Sequence, residues 1–101
     1  MRRPLFAPRA RRELVAAAAA IAEDNPPVAE MFVSVVDESA ARVCARPTLA
    51  RVEPKLASDR FRFWSVRGFP YLLVVDTASD QPRIVRIVHQ ARDLPTALRD
   101  L

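Results

Sequence analysis

Few side chains in this sequence have the chemistry to act on a substrate. General acid–base work on RNA needs one group that titrates near neutral pH and cations that stabilise charge developing on phosphorus. The single histidine, His89, is the only residue suited to the first task; Arg60, Arg62, Arg86 and Arg92 can serve the second, and Glu53 can be a second proton carrier. A plainer reading stands beside this one, in which His89 is a strand-end histidine bonded to its neighbours. Cys44 and His89 are formally a thiol–imidazole pair, but Cys44 falls late in a helical stretch, near its apolar side, where cysteine fills core. One histidine and one cysteine, with no HExxH or CxxC spacing, exclude the common zinc sites. A strained serine turn of the G-x-S-x-G kind is absent. One glycine among 101 residues argues against a glycine-rich phosphate loop, so no cofactor or metal is expected.

These residues belong to a chain of 11.3 kDa, the size of one domain, taken as spanning residues 1–101. Half of it is hydrophobic, enough for a modest core without a disulfide or a metal. Sixteen Lys+Arg against twelve Asp+Glu give a net charge of +4, too weak a balance to demand nucleic acid. The lone Cys44 excludes an internal disulfide and fits a reducing compartment. The longest apolar run, Leu14 to Ala22, is mostly alanine and far short of the roughly 20 residues of a membrane span. It follows a basic start, MRRPLFAPRARREL, in the manner of a signal peptide, but Glu23-Asp24-Asn25-Pro26-Pro27 is a poor cleavage site. The expectation is a cytoplasmic protein that does not enter a membrane.

The elements that would position the site follow from periodicity. Leu5–Ala7, between Pro4 and Pro8, is a short edge strand at most. Over Arg9–Asp24, Leu14, Ala17, Ala18 and Ile21 share one helix face. Asn25 is placed to cap a second helix, Pro26 suits its first position, and Pro47 ends it near Ala45. So short a link predicts an antiparallel helical hairpin. Thr48–Asp59 has no period and reads as a loop with one helical turn. Phe61–Val66, Tyr71–Val75 and Arg83–His89 read as three antiparallel strands, with the only glycine, Gly68, in the first turn. Leu94, Leu98 and Leu101 predict a short amphipathic tail helix. The sum is an α+β domain, a helical hairpin on one face of a small antiparallel sheet with a short C-terminal helix.

With Phe61 and Phe63 assigned to the helix side, Arg60, Arg62 and Trp64 point to the opposite, uncovered face. Basic groups beside an exposed indole suit nucleic acid or an acidic partner carrying apolar anchors. Arginine stems covering Trp64 on a solvated face is the equally weighted alternative.

Read together, RRELVAAAAAIAEDNPPVAEMFV, the FRFWSV–FPYLLVV hairpin and IVRIVHQARDLPTAL closely resemble the ParE branch of the RelE/ParE toxin superfamily, from about Ala7 to Leu98. The most specific segments are the helix junction AEDNPPVAEMFV and the strand exit VHQARDLP. The resemblance implies a short first strand, a helical hairpin and a three-stranded antiparallel remainder. It implies the toxin of a type II toxin–antitoxin system that inhibits DNA gyrase by binding, without catalysis. The implied partner is a ParD-like antitoxin in a hetero-oligomer, with DNA reached only through that antitoxin. RelE-like relatives instead cleave messenger RNA on the ribosome, and the nuclease alternative rests on His89, Arg92, Arg62 and Glu53. Against it, the central strand Tyr71–Val75 has no basic residue and Lys55 is the only lysine. A degenerate member that only binds antitoxin is the third reading. The residues expected to meet partners are Arg60, Arg62, Trp64, Arg67 and Arg86.

Overall fold

The computed structural model describes residues 5–101. Pro4 and the three residues before it, part of the basic start, lie outside the described residues. Helix α1 runs Pro8–Asp24 and α2 runs Pro26–Ala45. The two are separated by Asn25 alone, whose Oδ1 accepts from the Val28 N–H at 3.3 Å, the capping role its type predicts. Prolines open both helices, where a missing N–H costs nothing. A 3-10 turn, Pro47–Leu49, ends the hairpin and leads into strand β1, Arg51–Val52. Strands β2 (Phe61–Ser65), β3 (Tyr71–Asp76) and β4 (Arg83–His89) follow, then the one-turn helix α3 (Leu94–Ala97). The sheet is antiparallel in the order β1-β2-β3-β4. Gly68 takes a φ of 85° in the β2–β3 turn, a conformation other residues adopt only with strain.

The α+β class and the hairpin-on-sheet arrangement agree with the sequence reading. Three local expectations need correction. Part of the segment read as a loop is strand β1, which makes the sheet four-stranded. Its two residues are too few for periodicity to register. The segment before α1 makes only one isolated parallel bridge, Phe6 to Ile84, with Ala7 N–H donating to Ile84 O at 2.8 Å and Ile84 N–H to Leu5 O at 2.7 Å. Most consequential, Phe61 and Phe63 do not face the helical hairpin.

The sheet is covered on both sides. On the helix side, Leu14, Phe32, Val36 and Val43 pack with Val66, Leu73, Val75, Ile84 and Ile87, and Trp64 joins them. On the other side, Phe61, Phe63, Leu72, Val74 and Val88 pack with Leu98, under a lid of Leu56, Leu94 and Leu101. The phase of β2 is therefore opposite to the sequence assignment. The physical reason is the second cover: residues 53–59 and the C-terminal tail bury Phe61 and Phe63 without any help from the helices. A β-bulge between Val74 and Val75 also shifts β4, so that Ile84 and Ile87 both reach the helix layer although they are three residues apart.

The tail is thus part of the core. Leu98 is fully buried, and its truncation to Ala should lower stability by about 2–4 kcal/mol in denaturant unfolding, within the range for buried leucines. A loss below about 0.5 kcal/mol would show a tail that merely lies on the surface.

Candidate functional site

Arg86 was expected at a partner-binding surface, and the structure corrects this: its side chain is 2% exposed. Opposite Val74 and in phase with Val88, it lies on the tail side of β4, at the junction with α1. Its Nε and Nη2 donate to the Glu13 carboxylate of α1 at 3.0–3.1 Å. Its Nη1 donates to the Ala97 carbonyl at 2.8 Å and to Asp100 Oδ1 at 3.3 Å. Glu13 Oε1 in turn accepts the Ile87 N–H at 2.9 Å, on the outer edge of β4. Arg9 of α1 pairs with Asp100 at the rim of this network. A charge removed from water is tolerated only when such partners satisfy it.

The remaining arginines and Trp64 occupy different settings. Arg60 is exposed and clamps Asp76 through two bonds of 2.8–2.9 Å, which raises its pKa further. Arg62 is half-buried and donates to the Ala50 carbonyl at 2.8 Å, beside the β1–β2 ladder. Trp64, also half-buried, packs on the helix side, with the Arg42 guanidinium 5.9 Å from its ring centroid. Its indole N–H is buried and has no hydrogen-bond partner among the described residues. Arg67 is exposed in the β2–β3 turn. The continuous uncovered layer of arginines around an indole, expected from the sequence, is not formed: Trp64 lies against helices and the opposite face is closed.

The four residues of the nuclease alternative are not brought together. Arg62 pairs with Val75 and His89 with Tyr71. They stand about four residues apart along β3 and two strand spacings across the sheet, on the order of 16 Å between backbones. His89 stacks edge-on against Tyr71 at 5.0 Å, and its Nδ1 accepts the Ala91 N–H at 3.0 Å. That bond occupies the lone pair a general base would use and leaves the neutral ring's proton on Nε2. Glu53 accepts from Arg51 at 2.7 Å, and Arg92 is exposed beyond the end of β4. Asp93 opens the tail turn and accepts from the Thr96 hydroxyl at 2.8 Å, a local bracing role.

Cys44 is buried, and that burial raises its thiol pKa, so little thiolate is present at neutral pH. Among the described residues no three His, Cys, Asp or Glu side chains gather as metal ligands, and no helix is long and apolar enough to cross a membrane. A cleft of about 230 Å³ lies between Arg60, Arg83, Val85 and Ala7, below the size usual for small-molecule sites.

These features define a small α+β protein with exposed arginines at the rim of a sheet covered on both faces. The chain matches the family of the ParE toxin of type II toxin–antitoxin systems, parDE, over residues 5–94, and it belongs to that family. It is therefore the toxin side of such a system, with an antitoxin as its partner. A search of curated proteins found no match.

The rim of the Arg86 network has a measurable pH signature. The Arg9 guanidinium holds the Asp100 carboxyl below its ordinary value. A depressed carboxylate adds stability that is complete above the unfolded pKa of about 3.9 and is lost as pH falls through the lower, folded value. Asp100→Asn should therefore lower Tm at pH 6, with the difference from wild type shrinking below pH 4. A difference that stays constant down to pH 2 would contradict the pairing.

Proposed function

We propose that this toxin acts by binding DNA gyrase and not by cleaving RNA, and that a ParD-like antitoxin neutralises it in a hetero-oligomer. One observation carries the non-enzymatic reading: the residues available for phosphodiester chemistry are split between separate parts of the sheet, and the lone pair on His89 Nδ1 is engaged by its own backbone. General acid–base cleavage needs proton carriers and cations converging on one phosphate, and each is worth little when apart.

Docking needs a different surface. Exposed Arg60 and Arg67, with the half-buried Arg62 and Trp64, supply forked donors and an aromatic edge, groups that are frequent anchors of protein interfaces. Arg86 is left out because its donors are already engaged inside the fold. An antitoxin with a flexible acidic–apolar segment would suit the arginines, folding as it binds. In this reading the toxin works in the cytoplasm, where gyrase is, and reaches DNA only through its partners.

Expression of the chain in a bacterium should produce filamentation, an SOS response and growth arrest. His89→Ala should arrest growth as strongly as wild type, and the purified chain should inhibit gyrase supercoiling. Arrest with intact DNA and rapidly cleaved messages, abolished by His89→Ala, would establish the ribonuclease alternative instead.

A further inference from the structure

Helix α1 carries its charges against its own dipole. Its first turn has no acidic residue and its last turn no basic one. Arg9, Arg11 and Arg12 crowd the N-terminal end, while Glu23 and Asp24 end the helix. A helix dipole favours the reverse order. Arg9 has an internal reason, its pairing with Asp100, and Arg11 lies 4.5 Å from the Phe6 ring centroid. Arg12, Glu23 and Asp24 are exposed and have no ion-pair partner among the described residues.

Between these charged ends the helix shows water an apolar face. From Leu14 to Ala22 there is no polar side chain. The half that does not pack inward leaves Ala16, Ala19 and Ala20 exposed, and Val15 is 62% exposed. The outer side of α2 differs, because it presents Glu30, Asp37, Glu38 and Arg42 to solvent. At 100° per residue, Arg12, Ala16, Ala19 and Glu23 fall within a narrow stripe along the outer face of α1.

The order of that stripe is self-complementary. If a second α1 is laid on it antiparallel, with the two-fold axis midway between Ala16 and Ala19, Ala16 meets Ala19 of the other copy, and Arg12 meets Glu23. Each contact then occurs twice, as an isologous interface requires. We propose that the outer face of α1 docks a second copy of this chain, with two reciprocal Arg12–Glu23 ion pairs bracketing an alanine–valine contact. The antiparallel setting also brings each acidic helix end to a basic one, which answers the unfavourable charge order within each helix. One helix of 17 residues, about 25 Å long, covers less than the roughly 800 Å² per partner of a standard interface, so the dimer is weak and sensitive to salt.

Sedimentation equilibrium of the full chain tests this at up to about 1 mM, the range in which weak association is read. Wild type should form dimers that tighten as salt is lowered. Arg12→Glu and Glu23→Arg should each weaken association about tenfold or more, and the double exchange should restore it to within about threefold. Circular dichroism supplies the folding control: either single change improves the fit to the helix dipole, so helix content should hold. A chain that stays monomeric throughout would overturn the proposal and leave this face to a different macromolecule. So would dimers indifferent to both single variants, or a folded double variant that fails to recover.

Discussion

A guanidinium that is 2% exposed must find its partners inside the protein, and Arg86 finds them in two distant parts of the chain, so that three segments meet there. Glu13 comes from the first helix, the Ala97 carbonyl and Asp100 from the last residues, and Arg86 itself from the edge strand. Leaving any of them out would strand a buried charge, which costs several kcal/mol. The N-terminal helix, the sheet edge and the tail are thereby fixed to one point. The carboxylate of Glu13 has a second duty, since it also receives the Ile87 N–H. With the Phe6–Ile84 bridge it occupies the outer edge of β4, which would otherwise be a template for unwanted strand pairing.

Because the tail is held there, the sheet has two cores. The helical hairpin covers one face, while Leu98 and residues around it cover the other. With both faces of the sheet buried, what stays exposed is the rim: the turn bearing Arg67, Arg60 with its Asp76 clamp, the Arg51–Val52 edge strand and the outer sides of the helices. Such a surface can hold a macromolecule by several contacts. The family to which the chain belongs is one of toxins paired with antitoxins.

Much of this was legible in the sequence. Asn25 followed by two prolines announced the helix junction, and the continuous apolar Tyr71–Val75 announced a central strand, though not that both of its faces would be covered. The failures have a common physical origin in the second cover. Phe61 and Phe63 are aromatic whichever side buries them, so alternation fixed their shared face but not which layer it met. The fate of Arg86 depended on partners distant in the sequence. Arg86, opposite Val74, stays in phase with Val88 on the tail side, while the bulge moves Ile84 to the helix layer; Arg86 is buried because Glu13, 73 positions away, and the tail meet it there. Nothing local signals such a partner. The one hint was Glu13, the only acid near a run of arginines in an otherwise alanine-rich helix.

The direct test of Arg86 as the joint is native-state hydrogen exchange on Glu13→Ala. Among the described contacts Glu13 makes no hydrogen bond to the tail; Arg86 links the two, while the Arg9–Asp100 pair is a separate tie between α1 and the tail that Glu13→Ala leaves in place. If that guanidinium ties them together, the amides of Ala97 and Leu98, which bond within the tail turn, should lose protection by about tenfold or more along with Ile87. If Ile87 alone becomes labile while the tail amides exchange as in wild type, the tail is held by its own apolar contacts and the central role given to Arg86 is wrong.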